Sequence, residues 1–366
     1  MVSKYVYLLD DTEISGPEPT LDTTDLSKDL QDHKMKIGEF YTNKKWDKFK
    51  KQTNFFELIF TTGHHLPSLS SYLPISRSFF KHWEILHDFK DALAFPATGM
   101  RIACLAEGPG GFIESFVHYR KQNTDKIFGV TLISSDRCVP MWKLSKSMIE
   151  KANITLLYGK DKTGSLYKKE NVDDYVEKIG PASCDYITAD GGFDFSNNFD
   201  NQEEISMQLI SSEIYTALRL QKKGGAFLLK IYDINLLSTK KLLWILKQNY
   251  ETLNFIKPLT SRPANSEKYI LCIGFRGPSS SAPTKDLTPS FLQKINEFNT
   301  VYMIRQIVNI NLSLISINCN QNHNETLKVQ IEKGLKWLHK YNIPVNKESL
   351  LYYKKAMTNQ IKDKNT

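Results

Sequence analysis

At 366 residues the chain is longer than a minimal domain and suits one large domain with a smaller appendage. Its 41% hydrophobic, 24% charged and 11% aromatic content can fill a core, which excludes global disorder. The net charge of +8 favours a polyanionic partner, although many soluble proteins of this size are as basic and bind no nucleic acid.

The N-terminal MVSKYVYLLDDTE has an apolar stretch too short, and too soon acidic, for a signal peptide. No apolar run approaches the ~18 residues of a membrane span, so an intracellular, reducing setting is expected, cytoplasmic or nuclear and not secreted. Cys104, Cys138, Cys184, Cys272 and Cys319 are scattered and odd in number, without a CxxC pair or a histidine cluster nearby. That argues against both a disulfide framework and structural zinc. Cys104, Cys184 and Cys272 lie in or beside apolar runs and read as small buried hydrophobes.

In chain order, residues 1 to about 48 read as a loosely ordered arm followed by a basic helix, or simply as a solvated face. From Phe55 apolar runs begin to alternate with turn signals. ISRSFFKHWEILHDF is expected to be helical, RIACLA a buried strand, IESFVHYRKQ a helix and KIFGVTLI a strand. A helical patch follows around Trp142 to Ala152, then the strand ITLLYG, a helix near Val172 to Ile179 and the strand DYITAD. Last come a long helix from about Glu203 to Gln221, the strand AFLLKIYD and a pair of edge strands in FIKPLTSRPANSEKYILCIGF. Alternating strands and helices indicate an α/β class, a Rossmann-like, doubly wound, mostly parallel sheet. GPSSSAPTKDLTPS reads as a linker, and beyond it two or three amphipathic helices form a C-terminal appendage. The resulting division is an arm and basic helix over 1–54, the sheet domain over 55–280 and a helical region over 281–366.

Several short motifs sit at the strand ends. EGPGGF, alone a weak signal, follows a strand and opens a helix, where ligands enter a doubly wound sheet. Gly108, Gly110 and Gly111 would allow close backbone approach, Pro109 would stiffen the turn, Phe112 closes the motif, and Glu107 is an acceptor at the pocket mouth. A pyrophosphate fits poorly, because Glu107 would repel it and no Lys-Ser/Thr follows. Lys81 lies in SRSFFKHWEI, Asp190 in DYITADGGFDFS, Lys230 in GGAFLLKIYD and Glu267 in SRPANSEKYILCIGF. Arg77, and Arg262 with Lys268, would line the same strand ends and could touch phosphates, although solvated charge is the commoner fate. Phe193 and Tyr232 are stacking candidates or ordinary rim and core aromatics.

Taken together these motifs resemble the RrmJ/FtsJ-like ribose 2'-O-methyltransferases, with wording closest to the Adrift-type enzymes that methylate the first nucleotides after an mRNA cap. The resemblance spans about Ser76 to Phe275. It implies S-adenosylmethionine as cofactor, its amino group within reach of Glu107, and capped mRNA as partner. It also implies Asp161, in YGKDKTGSLY, as an adenine contact, although a turn Asp is the plain alternative. Strand two carries no acid until Asp136, so Leu132 takes the position where many Rossmann-like enzymes bind ribose hydroxyls. Asp190 is shared between the cofactor set and the reaction.

The implied reaction set is Lys81, Asp190, Lys230 and Glu267, and it requires no metal. A ribose hydroxyl is a poor nucleophile, so its proton must be drawn off as the new bond forms. An unperturbed lysine, with a pKa near ~10.4, stays protonated. Two lysines in one partly buried site would disfavour charge and could yield a base near ~7 to 8, with the acids positioning unless they sit too near Lys230. The expectation is therefore Lys230 as base or hydroxyl-orienting group with Lys81 beside it. The alternatives are a ribosomal or transfer RNA ribose methyltransferase, a small-molecule methyltransferase, and a non-catalytic cap- or RNA-binding subunit. The C-terminal helices could pack on the sheet or dock to capping or transcription proteins, with no membrane involved. The lysine and asparagine bias would suit an AT-rich genome such as that of a large DNA virus.

Overall fold

A computed structural model describes residues 5–9, 23–41, 45–62, 66–136, 138–193, 201–277, 286–319 and 323–363. The chain begins with β1 (Tyr5–Leu9), α1 (Thr24–Tyr41), α2 (Lys45–Gln52), a 3-10 turn at Glu57–Ile59, α3 (Ser78–Asp88) and α4 (Lys90–Leu93). The alternating portion follows as β2 (Arg101–Leu105), α5 (Gly111–Arg120), β3 (Lys126–Val130), α6 (Lys146–Lys151), β4 (Ile154–Leu157), α7 (Lys169–Ile179) and β5 (Cys184–Ala189). It continues with α8 (Gln202–Leu220), β6 (Gln221–Ile231), α9 (Leu237–Asn249), β7 (Tyr250–Lys257) and β8 (Lys268–Phe275). Three helices complete it: α10 (Pro289–Asn318), α11 (His323–Lys340) and α12 (Lys347–Asp363).

The strands form one sheet in the order β1-β7-β8-β6-β5-β2-β3-β4. From β4 to β6 all neighbours are parallel, whereas β8 is antiparallel to both β6 and β7, and β1 is antiparallel to β7. Chain order runs outward from β2 in both directions, so a crevice opens at the carboxyl ends of β2 and β5, where α/β sheets bind ligands. Parallel strands covered on both faces read as apolar runs, and the period-2 rule sorts them. Ala103, Leu105, Ile187, Phe227 and Leu229 join one core, while Ile102, Cys104, Tyr186, Ala226 and Leu228 join the other.

Three features depart from the sequence expectation. The last two strands are not an edge pair, because β8 inserts between β6 and β7. The outer edge belongs instead to β1, whose register pairs Tyr5 with Lys257 and Leu9 with Leu253. The expected loose arm is thus part of the sheet at Tyr5–Leu9 and helical from Thr24, with residues 10–22 outside the described set. Helix α1 is tied down as well: buried Lys34 donates to Asp233 at 2.5 Å. Finally, α9 is a helix that the sequence reading does not include.

Both ends of the chain pack on the sheet domain. Leu30, Ile37, Trp46 and Phe49 of α1 and α2 form a core with Met303, Ile307, Ile310, Leu314 and Ile317 of α10. Helix α10 is long and apolar enough to cross a membrane, but half of its most apolar stretch is buried within the protein. Behind α3, residues Phe79, Phe80 and Trp83 meet Leu327, Ile331, Trp337 and Leu338 of α11. The expected linker lies largely outside the described residues, at 278–285.

Trp337 is 2% exposed, packs edge-on against Phe80 with ring centres 5.9 Å apart, and donates Nε1–H to Glu84 at 3.1 Å. Trp337→Ala should cost about 3–5 kcal/mol, from the cavity and the lost donor together, as read from urea unfolding.

Candidate functional site

The strand register brings the charged residues together. Ala189 of β5 pairs with Leu229 of β6, so Asp190, just past the strand, falls beside Lys230. On the other side Lys230 pairs with Tyr269 of β8, and Glu267 immediately precedes that strand. Helix α3 then carries Lys81 to the same corner. Lys81 Nζ lies 2.6 and 2.8 Å from the two Glu267 oxygens, and Lys230 Nζ lies 3.2 Å from Asp190 Oδ1. Lys230 also donates to the Asp190 carbonyl at 2.6 Å.

Neighbours fill the remaining acceptor positions. Tyr269 Oη–H donates to Asp190 Oδ1 at 2.9 Å, Ser261 Oγ–H to Glu267 Oε1 at 2.8 Å, and Lys257 Nζ to the Glu267 carbonyl at 2.6 Å. Glu84, one helical turn beyond Lys81, accepts from the backbone N–H of Leu259 and Thr260 at 2.8 and 3.3 Å. One helix therefore holds both the Glu267 carboxylate and the loop that carries it.

This arrangement does not give the depressed lysine that the sequence reading allowed for. Burial alone would lower the Lys230 pKa, but Asp190, Tyr232 and Glu267 outweigh it and raise the pKa well above the usual lysine value. The two acids sit too near for the opposite shift. Burial likewise pushes Glu267 up, yet Lys81, Lys230 and Lys257 overcome it and hold the carboxyl far below the usual range. Both pairs are thus charge-matched before any ligand arrives.

A cleft of about 880 Å³ opens over this corner. Gly108, Pro109 and Leu132 line one part, with Asp136 from the loop after β3, and Asp190, Lys230, Glu267, Tyr232 and Phe193 line another. Lys81 is not itself in the lining and reaches the cleft through Glu267. Phe193 is exposed at the rim, whereas Tyr232 is buried. Residues 194–200 of the DYITADGGFDFS stretch and its continuation lie outside the described set.

Other expected site residues have different surroundings. Glu107 is not at the mouth: it is buried, its Oε1 accepts from Phe112 N–H at 2.6 Å, and its Oε2 has no partner among the described residues. Burial and then Asp190 push its carboxyl well above the usual range, opposed by backbone N–H groups and Lys230. Phe112 is core, stacked on His82 with ring centres 4.4 Å apart. Gly110 caps the start of α5 with a φ of 115°, and Gly111 lies against Ser76 and Ser78, where a side chain would overlap them. The close approach at Gly111 is to α3 rather than to a ligand.

Asp161 is spent on its own turn. Oδ1 accepts from Thr163 and Asn171, and Oδ2 pairs with Lys168 at 2.6 Å. It is the following stretch, Gly164 to Tyr167, that lines the cleft, so the plain turn reading describes Asp161 here. Arg77 lines the cleft but its guanidinium is committed inward, to the carbonyls of Phe56, Glu57, Phe60 and Thr260. Arg262 forks onto the Glu57 carboxylate at 2.8 and 3.0 Å. Arg77 therefore turns these donors away from the cleft, whereas Arg262 commits Nε and Nη2 and leaves Nη1 outside the Glu57 pair. Lys268 is buried too, donating to the Ser266 carbonyl at 3.0 Å, with burial pushing its pKa down to about 8.

Sequence reading missed Tyr269, Ser261, Lys257 and Glu213. Tyr269 was signalled by its place in the strand that opens directly after Glu267, where it pairs with Lys230. Glu213 was signalled as an acid on the apolar stripe of α8, with Ile210, Ile214 and Ala217.

Residues 74–275 match the sequence model of the FtsJ-like methyltransferase family. The cap-specific mRNA (nucleoside-2'-O-)-methyltransferase 1 of Dictyostelium discoideum is 32% identical over 221 residues, 56% of this chain and 28% of its own. The protein of the same name from Danio rerio is 29% identical over 269 residues, 71% of this chain and 29% of its own. An inactive cap-specific mRNA (nucleoside-2'-O-)-methyltransferase 1B of Caenorhabditis briggsae is 32% identical over 180 residues, 48% of this chain and 21% of its own. The chain spans less than a third of the length of each of these relatives.

Because the Glu267 carboxyl is held down by three lysines, it contributes stability fully above its unfolded value of ~4.3 and loses it as pH falls below that. Urea midpoints should therefore drop between pH 6 and pH 3 in the wild type, and less steeply in Glu267→Gln.

Proposed function

Since the chain belongs to the FtsJ-like methyltransferase family, we propose that it methylates the ribose 2'-hydroxyl of a cap-proximal mRNA nucleotide, inside the cell, with S-adenosylmethionine as donor. The observation that carries this reading is the corner where Lys230 with Asp190, and Lys81 with Glu267, meet at one cleft. A cleft of 880 Å³ has room for a nucleoside-bearing cofactor and a nucleotide side by side. Gly108, Pro109, Thr131, Leu132 and Asp136 would hold the cofactor, and Phe193 with Tyr232 would flank the nucleotide. S-adenosylmethionine supplies the electrophilic methyl group when bound.

The protein's own part is orientation and charge. Lys230, protonated through Asp190 and Glu267, presents an N–H that fixes the ribose oxygen in line. With S-adenosylmethionine bound, Lys230 would lose its proton to solvent more readily, and the neutral amine would then accept the ribose hydroxyl proton as the oxygen bonds to the methyl carbon. Asp190 and Glu267 hold both lysines in register, and Lys81 acts through Glu267. One relative, 32% identical over 48% of this chain, is named as inactive, and that name is the observation behind a second reading, a non-catalytic RNA-binding subunit.

The test is transfer of labelled methyl to a short capped RNA, with uncapped and already 2'-O-methylated controls. Wild type should label only the capped RNA with a free hydroxyl, and Lys230→Ala should lose about 100-fold or more. Cofactor binding without transfer to any RNA would favour the non-catalytic reading.

A further inference from the structure

Helix α8 buries two acids: Glu203 near its start accepts from Asn235, Leu236 and Thr239, whereas Glu213 lies further along the apolar face. Ile210, Ile214, Ala217 and Leu220 pack on the sheet at helical spacing, and Glu213, 1% exposed, sits among them. A carboxyl in that stripe has lost its water, and Oε1 has no partner among the described residues. Such a group in a packed core calls for a reason. Its position supplies one, because Glu213 lies directly under the exit of β5. The Gly191 backbone N–H faces its carboxyl, and a Cβ on Gly191 would overlap Oε1. Leu209 and Ala106 crowd the same space, so the first glycine of the ADGGF motif lets the backbone settle against Glu213 and these two neighbours.

The groups facing Glu213 are Lys230 of β6 with Tyr232 just beyond it, Asp190 just past β5, and Tyr167 from the loop before α7. Burial pushes the Glu213 carboxyl up to about 8 and Asp190 adds to this, while Lys230 and the Gly191 N–H oppose it. The Asp190–Gly191 peptide is also what Lys230 grips, through the Asp190 carbonyl at 2.6 Å. Whatever sets the height of that peptide sets the direction of Lys230 Nζ.

We infer that Glu213 is a positioning residue that props the Asp190–Gly191 peptide from below and so fixes Lys230 for the reaction. This rests on the proposed methyl transfer at the cleft. Ionised, Glu213 would place a third carboxylate beside Lys230, after Asp190 and Glu267, tightening its hold on its proton and repelling Asp190. Activity then falls as the pH rises through the Glu213 titration.

The experiment compares wild type, Glu213→Gln and Glu213→Ala in the capped-RNA assay between pH 6 and 9.5, with cofactor affinity measured by calorimetry. Glu213→Gln, neutral and similar in shape, should keep kcat near wild type at pH 7 and lose the alkaline decline. Glu213→Ala should lower kcat about 10- to 100-fold while leaving cofactor affinity and KM near wild type. A Gln variant that keeps the decline, or loses as much kcat as the Ala variant, overturns the inference. If wild type transfers no methyl, the proposed function fails by that result alone, and unfolding against pH then decides Glu213. A carboxyl raised in the folded state makes stability fall from about pH 4.3 to 8. The Gln variant should lack that component of the slope, and identical slopes overturn the inference.

Discussion

Two lysines and two carboxylates share one buried corner of the sheet, and charges persist there only while each is matched and its remaining hydrogen-bonding capacity is met. Most of the surrounding structure serves that condition. Tyr269, Ser261 and Lys257 complete the acceptors of Asp190 and Glu267. Glu84 clamps the loop from Leu259 to Thr260, and Glu57 gathers Arg77 and Arg262 behind it. Removing one member of such a network leaves a buried charge unpaired, which is why the loop, α3 and two strand ends behave as one unit.

The fold was legible where local pattern decides it. Parallel strands covered on both faces must be apolar runs, and the helices between them have room only at helical spacing, so β2 to β6 and their crossovers follow from the sequence. The order of β7 and β8 does not follow, since either arrangement buries the same alternating residues. β1 was missed because five residues, Tyr5 to Leu9, gain their strand state from pairing with β7 rather than from length or propensity. α9 was missed because its apolar positions are crowded by Lys240, Lys241 and Lys247.

Within the site, the sequence brought out the four charged residues that meet at one corner but not their electrostatics. Lys81, Asp190, Lys230 and Glu267 each announce themselves beside a strand or helix end, and they do converge. Whether Lys230 is pushed toward neutrality or toward charge depends on distances to Asp190 and Glu267 that no linear spacing encodes. Arg77 and Arg262 look alike in sequence to arginines that bind phosphate. Both are claimed by Glu57, which stands 20 and 205 positions away. Glu107 and Phe112 belong to a glycine motif whose tight contacts turn out to be with α3 and the core.

The indole hydrogen bond from Trp337 to Glu84 links an element made late in synthesis to one made early. While the chain is on the ribosome, α3 emerges some 250 residues before α11 covers its outer face. Until then Phe80 lacks its Trp337 neighbour, and Glu84 lacks one of the donors that steady it. The Rossmann-like sheet can form during elongation, but the corner that holds Lys81 against Glu267 is braced only after the C-terminal helices have left the exit tunnel.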